Sequence, residues 1–171
     1  TDPLQIQEFY RLLEIWPKIE PQNALELLDA RYANERVREY AVVCLEALSD
    51  SKLLSFMLQL VQVLKYEVHH YSVLAQFLLD RALENEMMIG QRLFWFLRAE
   101  LHVPETRERF GLLLESLLLL CSDQLQEQLQ QQITVIGILQ DCALKVKTYP
   151  GGKRTETIRR MLSEVKFPAA F

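Results

Sequence analysis

Apolar residues recur along the chain at the spacing of an amphipathic helix. Positions i, i+3, i+4 and i+7 are apolar in almost every segment. Pro17 ends the first helical segment, Pro21 marks the first turn of the second, and residues 149–152 (Tyr-Pro-Gly-Gly) form the clearest break. The pattern predicts nine helices, at about residues 4–15, 23–29, 35–48, 53–64, 73–83, 88–101, 104–121, 124–147 and 155–165.

The links between these segments are short, which predicts that successive helices lie antiparallel as neighbours. The predicted helix at 104–121 is apolar on more than one face, as expected for a helix with neighbours on both sides in a stacked array. Its main stripe contains Phe110, Leu113, Leu114, Leu117 and Cys121, and its further leucines are Leu112, Leu119 and Leu120. The first helix is expected to turn Leu4, Ile6, Phe9, Leu12 and Leu13 inward.

A more specific pattern begins at Asn34. The spacing Asn34-x-x-Val37-Arg38-x-x-Ala41-x-x-x-Leu45 is that of the second helix of HEAT-type repeats. Asn34 is expected to cap this helix, and the small Ala41 lets a paired helix approach closely. We therefore expect an all-α fold of stacked helical hairpins, ahead of a closed helical bundle.

Composition and charge narrow the class of protein. The chain has 171 residues, 50% of them hydrophobic, which is enough for one ordinary domain that buries roughly 70% of its unfolded surface. A net charge of −4 with no basic tail does not favour capture of nucleic acid or of an anionic membrane as the main role. The longest apolar run is about half a membrane span, and no signal peptide is visible. We expect a cytoplasmic protein or a piece of one.

The cysteines and histidines give no pattern of a catalytic or metal site. Cys44, Cys121 and Cys142 each lie in an apolar stretch, which predicts buried free thiols in a reducing compartment. Neither His69 nor His70 has a Glu or Cys at i+3 or i+4, so a polar loop is a better interpretation than a metal site. We predict no catalytic, cofactor-binding or metal-ligating residue in this chain.

Several sequence runs together resemble one family. Residues 24–29 read Ala-Leu-Glu-Leu-Leu-Asp, and the HEAT-type pattern follows them. Residues 59–67 read Gln-Leu-Val-Gln-Val-Leu-Lys-Tyr-Glu, and residues 109–115 read Arg-Phe-Gly-Leu-Leu-Leu-Glu. From about Trp16 to Glu115 the chain resembles the helical (PIK, or accessory) domain of phosphoinositide 3-kinases, of the class I and class II type, leaning to class II.

This resemblance implies a fold and a role. The fold is an α-α superhelix of stacked antiparallel helical hairpins, and residues 1–171 form a single PIK domain, expected to be an N-terminally truncated piece of a larger lipid kinase. Residues 149–171 are expected to be a linker and last helix leading toward the kinase domain. The domain is implied to be a non-catalytic scaffold that contacts the C2 and kinase domains and, in class I, a regulatory subunit.

Catalysis is implied only for the parent enzyme. That enzyme uses ATP and Mg²⁺ to phosphorylate the 3-hydroxyl of phosphoinositides, and it is cytoplasmic with peripheral recruitment to membranes. For this piece the resemblance implies no cofactor, no nucleic acid, no direct membrane insertion and possible self-association when isolated.

One hexapeptide imitates a lipid-kinase catalytic loop. Asp80-Arg81-x-x-x-Asn85 has the spacing of D-R-H-x-x-N, in which the Asp orients the attacking hydroxyl and the Asn holds Mg²⁺. Ala82 stands where that loop requires His, and neither a D-F-G run nor a glycine-rich loop is present. We expect the surface of a helix that ends at Asn85.

The candidate interface residues are Phe94, Trp95, Phe96, Arg159 and Arg160. Three consecutive aromatic residues span about 200° of a helix, so one of them could face another domain rather than the core. The basic residues near the carboxyl end form a solvated face by default, with acidic residues of another domain or lipid headgroups as the alternative partners. Two other functions remain open: a free-standing HEAT- or armadillo-type adaptor, and an all-α enzyme with a pocket of ionisable groups.

Overall fold

The computed structural model describes residues 3–165 and 167–168. The all-α prediction is confirmed, because this part of the chain holds nine α-helices and no strand. A 3₁₀ turn, Leu25–Leu28, follows α2, a second, Leu64–Tyr66, follows α4, and one π-helical turn, Glu86–Gly90, precedes α6. The helices are α1 (Pro3–Ile15), α2 (Pro21–Ala24), α3 (Glu35–Leu45), α4 (Asp50–Val63), α5 (Val73–Glu84), α6 (Gln91–Glu100), α7 (Arg107–Leu120), α8 (Asp123–Lys147) and α9 (Gly151–Glu164).

Side-chain caps explain where three of these helices begin. Asn34 accepts hydrogen bonds from the backbone N–H groups of Arg36 (3.0 Å) and Val37 (3.4 Å), as its sequence position predicts. Ser122 accepts from Leu125 N at the start of α8, and Ser72 accepts from Ala75 N at the start of α5. Each hydroxyl or amide oxygen satisfies a donor that the helix itself leaves unpaired.

The chain divides into two compact units, Thr1–Cys121 and Ser122–Phe171. In the first unit, α1 packs on α3, α3 on α5 and α5 on α7, while α4 packs on α6. Helices of one sequence parity therefore share a layer, which is the order of stacked hairpins rather than of a closed bundle. The core between these helices is aliphatic, with Ala41, Leu45, Leu60, Leu78 and Leu93 all fully buried.

The prediction that the apolar residues of α1 are turned toward the core is wrong. Leu4 is 72% exposed, Leu12 is 49% exposed, and Ile6 and Phe9 are also exposed. The reason is the position of α1 in the layer: its main packing partner is α3, so the rest of its apolar circumference faces solvent. A periodic apolar stripe shows that a helix is amphipathic, but it does not show whether another element covers that stripe.

Helix α7 has two neighbours, α5 and α6, but they do not cover the leucines outside its main stripe. Phe110, Leu113 and Leu117 are buried on one stripe, whereas Leu112, Leu119 and Leu120 are exposed. The start of α9 also differs from the prediction, because this helix begins at Gly151 rather than near residue 155. Pro150, at φ −57°, directs the chain into the helix, and the first turn needs no internal N–H partner, so glycine is tolerated there.

The second unit consists of α8 and α9, which pack on each other. Cys142 on α8 and Thr157 on α9 are buried. Arg154 ties the connecting segment by donating from Nε to the carbonyl of Tyr149 (2.9 Å) and from Nη2 to that of Lys147 (3.3 Å). These bonds satisfy carbonyls at the carboxyl end of α8, where a cation also complements the helix dipole.

Candidate functional site

A buried arginine on α3 connects two segments of the first unit that are distant in sequence. Nε and Nη2 of Arg38 donate to Oε1 of Glu67 at 3.0 and 2.5 Å, and both side chains are only 7% exposed. Nη1 of Arg38 donates to the carbonyls of Leu28 (2.9 Å) and Tyr32 (3.2 Å). The guanidinium therefore joins the segment before α3 to the segment after α4 through charge-assisted hydrogen bonds.

A second arginine reaches the same segment from α7. Nη2 of Arg109 donates to the carbonyl of Glu67, and Nη1 donates to the carbonyl of His69, each at 2.6 Å. Arg38, Glu67 and Arg109 are called the arginine node below. The node binds the loop between α4 and α5 through one side chain and two backbone carbonyls, so the loop is held from two helices at once.

Sequence reasoning did not find the arginine node, although its members lie in the runs that carried the family resemblance. Arg38 belongs to the Val-Arg pair of the HEAT-type pattern, Glu67 ends the 59–67 run, and Arg109 begins the 109–115 run. The signal in the sequence was Arg38 itself, a charged residue on the face of α3 that also carries the buried Ala41. A buried guanidinium requires a partner, but sequence alone does not say which carboxylate supplies it.

A second polar cluster joins α4 to the end of α6. Lys65 Nζ lies 2.9 Å from Glu100 Oε2 and donates to Gln62 Oε1 at 2.6 Å, while Gln62 Nε2 donates to Glu100 Oε1 at 2.5 Å. The hydrogen bond from Lys65, followed by that from Gln62, lowers the pKa of the Glu100 carboxyl below its ordinary value. This carboxylate is therefore ionised at neutral pH and joins α4 to α6 within one layer.

The hexapeptide that resembles a catalytic loop connects the end of α5 to Asp50 at the start of α4. Arg81 Nη2 donates to Asp50 Oδ1 (2.5 Å) and Asn85 Nδ2 donates to Asp50 Oδ2 (2.7 Å), which lowers the pKa of the Asp50 carboxyl, mainly through Asn85 and then Arg81. Asn85 Oδ1 also accepts from Met88 N at 3.2 Å. Because both ends of its amide have protein partners, Asn85 does not fit the role of a Mg²⁺ ligand.

The histidines lie at the surface. His69 and His70 are exposed in the loop between α4 and α5, and His102 Nδ1 lies 2.5 Å from the carbonyl of Ala99. Residues 3–165 and 167–168 contain no group of three or more His, Cys, Asp or Glu placed to hold a metal ion. The three cysteines are buried and form no disulfide within the described residues, as their apolar surroundings predict.

A small cleft of about 140 Å³ lies beside the arginine node. Its lining includes Arg38, Glu67, Glu39 and His69. The two buried ionisable groups of this lining, Arg38 and Glu67, bind each other, and neither is directed at an open position for a substrate.

The predicted interface residues are distributed over both units. On α6, Phe94 is 1% exposed and belongs to the core, whereas Trp95 and Phe96 are half-buried. Trp95 packs edge-on against Phe94 with ring centroids 5.1 Å apart, and the Arg98 guanidinium lies 5.8 Å from the Trp95 ring. Arg159 and Arg160 are exposed on α9 in the second unit. An interface at these residues stays a prediction.

Within the described ranges, no helix is both long and apolar enough to cross a bilayer. The first part of α8 is rich in glutamine, and the leucine-rich α7 has 14 residues, whereas a span needs about 20.

Comparison with known proteins assigns the chain to a family. The profile of the phosphoinositide 3-kinase family accessory domain (PIK domain) matches residues 1–130. The chain is 44% identical to phosphatidylinositol 3-kinase 1 of Dictyostelium discoideum over 100% of its length, and 42% identical to phosphatidylinositol 3-kinase 2 of the same organism over 99%. It is 37% identical, over 95% of its length, to the phosphatidylinositol 4-phosphate 3-kinase C2 domain-containing subunit alpha of Pongo abelii.

These relatives are much longer proteins. The chain covers 11%, 9% and 10% of their respective lengths. The family resemblance inferred from about Trp16 to Glu115 is confirmed, and the match extends through the first unit into α8. The chain belongs to the accessory (PIK) domain family of the phosphoinositide 3-kinases.

Proposed function

We propose that this chain is a non-catalytic scaffold of a phosphatidylinositol 3-kinase, which positions the C2 and lipid-kinase domains of the parent enzyme. Phosphorylation of the 3-hydroxyl of phosphoinositides, with ATP and Mg²⁺, is a property of that parent. The similarity to a C2 domain-containing subunit supports both a C2 neighbour and the lean to the class II branch. A regulatory subunit would be a further partner if the parent is of class I.

The observation that carries this proposal is the arginine node. Two arginines from α3 and α7 hold the one loop between α4 and α5, so successive hairpins are cross-linked by partly buried polar bonds as well as by aliphatic packing. A close-packed array of this kind resists deformation. Domains docked on its surface therefore keep a fixed distance and orientation, which is what a scaffold supplies.

The residues that could have carried catalysis support the same proposal. Arg81 and Asn85 are committed to Asp50, and Asp80 is exposed on α5 without the histidine that the lipid-kinase loop requires. ATP and Mg²⁺ are therefore assigned to the parent's kinase domain, and no step of phosphoryl transfer is assigned to this chain.

Trp95 and Phe96 are the best candidates for a contact with another domain. They are large, half-buried and attached to a rigid helix whose Phe94 is anchored in the core. Aromatic side chains in this situation offer contact area at low conformational cost. The parent is proposed to be cytoplasmic, with peripheral recruitment to membranes.

The test uses the 171-residue chain with separately produced C2 and kinase domains of its parent. We expect a complex with at least one of them by size-exclusion chromatography, weakened at least about tenfold by Trp95→Ala with Phe96→Ala. Arg92→Ala, an exposed change on the same helix, is the matched control. Phosphatidylinositol 3-phosphate formed by the chain alone with ATP and Mg²⁺ would contradict the proposal. Failure to bind either domain would favour the free-standing adaptor.

A further inference from the structure

The loop between α4 and α5, residues 67–72, is fixed from its inner side. The arginine node binds the side chain of Glu67 and the backbone carbonyls of Glu67 and His69. At the end of the loop, Ser72 caps α5 by accepting a hydrogen bond from Ala75 N at 3.2 Å. Because these bonds restrict the backbone at both ends, a partner that docks on this loop pays little conformational entropy to order it.

Large apolar side chains are exposed along the same loop. Tyr66, just before it, is 56% exposed, Val68 is 69% exposed and Tyr71 is 76% exposed. Val73, the first residue of α5, is also exposed. Single exposed apolar residues are ordinary at a protein surface, but four within residues 66–73 are a concentration of the kind that marks an interaction site.

The cleft of about 140 Å³ opens beside this loop, and Val68, His69 and Val73 contribute to its lining. Clefts that bind small molecules usually have volumes of about 300–1,000 Å³. This cleft therefore has room for a single side chain of a partner rather than for a metabolite or a nucleotide.

The charge of this cleft is negative. Its lining includes Glu35, Glu39 and Glu67 together with Arg38. Arg38 and Glu67 neutralise each other, and Glu39 Oε2 lies 3.4 Å from Arg36 Nη1. In the described part of the chain, no basic nitrogen lies within 4.0 Å of the Glu35 carboxylate. A cationic side chain is therefore attracted into the cleft, and the aliphatic stem of lysine or arginine suits its apolar lining.

We propose that the outer side of the α4–α5 loop and the cleft beside it form a docking surface for a segment of another protein that carries an arginine or lysine next to an apolar residue. The cation enters the cleft toward Glu35 and Glu39, and the neighbouring apolar residue packs on Val68 and Tyr71. This goes beyond the scaffold role, because it uses a different part of the chain from α6 and a partner outside the parent enzyme.

The test selects random phage-displayed peptides of about twelve residues for binding to the immobilised 171-residue chain. Dissociation constants of the enriched peptides are then measured by fluorescence anisotropy. We expect the enriched peptides to share an arginine or lysine beside a leucine, isoleucine, valine or phenylalanine. Val68→Ser with Tyr71→Ser is expected to weaken their binding at least about tenfold, and Glu35→Gln about three- to fivefold.

Two matched controls carry the same chemical changes elsewhere. Leu119→Ser with Leu120→Ser alters an exposed apolar pair on α7. Asp123→Asn neutralises the first residue of α8, as Glu35→Gln neutralises the first residue of α3. Neither control is expected to change the affinity, and circular dichroism melting checks that all four variants remain folded.

The results separate this docking surface from general stickiness of the chain. Enriched peptides that carry the cationic and apolar pair, and that bind more weakly to both loop-side variants but not to the controls, support the proposal. Peptides without a cation, or binding that either Val68→Ser with Tyr71→Ser or Glu35→Gln leaves unchanged, would overturn it. Equal losses in the controls, or a selection that enriches no peptide, would overturn it as well.

Discussion

Arg38 and Glu67 are 29 residues apart in sequence, and their side chains meet in the interior of the first unit with a shortest N–O distance of 2.5 Å. Both side chains are only 7% exposed, so water is a poor alternative partner for either charge. The guanidinium is further satisfied by backbone carbonyls before α3, and the Glu67 carbonyl accepts from Arg109. This pair therefore links three segments that are distant in the chain.

Removing Glu67 is expected to destabilise the chain strongly. Glu67→Ala leaves the Arg38 charge buried without its carboxylate, which costs about 3–5 kcal/mol in comparable cases. We expect this loss in the free energy of unfolding from urea titration monitored by circular dichroism. The matched control is Glu39→Ala, which breaks the exposed pair between Arg36 and Glu39 and is expected to cost at most about 1 kcal/mol.

The double variant Arg38→Met with Glu67→Leu tests whether the penalty comes from the unpaired charge. Because it removes both charges, it is expected to recover much of the stability lost in Glu67→Ala. Equal destabilisation by Glu67→Ala and Glu39→Ala would contradict the role assigned to the node.

Local pattern predicted those parts of the fold that depend on local sequence. The helical period predicted nine helices, and Asn34 caps α3 as predicted because a cap bonds only to residues two or three positions away. The exposed stripe of α1 and the arginine node were missed, since both depend on which distant segment lies opposite. Arg109 bonds to a carbonyl 42 residues away, and no periodicity in the sequence indicates that contact.

Stability is expected to depend on pH through Glu100. Its pKa is lowered in the folded chain, first by Lys65 and then by Gln62, so its contribution is present above the pKa of the unfolded chain, about 4.3. The contribution is lost as the pH falls from about 5 through the folded pKa. Lys65→Met is expected to raise the pKa of Glu100 toward its ordinary value and to flatten this part of the pH profile.

The Glu100 carboxyl titration can be followed by ¹³C NMR, with urea unfolding measured from about pH 3 to pH 7. Lys52→Met, which removes an exposed lysine of α4, is the control and should leave the titration of Glu100 unchanged. An unaltered Glu100 pKa in Lys65→Met would show that the Lys65 contact does not set it.

Asn85 is expected to act through Asp50 and Met88. Asn85→Ala removes the donor to Asp50 and the acceptor for Met88 N, with an expected cost of about 1–2 kcal/mol in thermal or urea unfolding. Asn85→Asp keeps the acceptor but places a second carboxylate against Asp50. Its deficit should therefore shrink below about pH 4, where carboxylates become protonated. If Asn85→Asp were as stable as the wild type at neutral pH, the role assigned to the hydrogen bond between Asn85 and Asp50 would be contradicted.

The apolar stripe of α1 is expected to make the isolated chain self-associate. Leu4, Leu12, Ile15 and Trp16 are each about half exposed or more, and contiguous apolar surface of this kind promotes association. Leu12→Gln with Ile15→Gln is expected to weaken the association at least about tenfold in sedimentation equilibrium. Leu119→Gln with Leu120→Gln on α7 is the matched control, and an equal effect of both pairs would assign the association to general surface hydrophobicity.

Hydrogen–deuterium exchange tests the scaffold role most directly. Amide exchange across α6 and the α5–α6 turn is compared between the 171-residue chain and the full-length parent enzyme. If this chain holds other domains through Trp95 and Phe96, peptides spanning residues 86–100 exchange more slowly in the full-length enzyme, while the loop held by the arginine node is equally protected in both. Identical exchange over residues 86–100 in the two proteins would contradict the scaffold role at this surface.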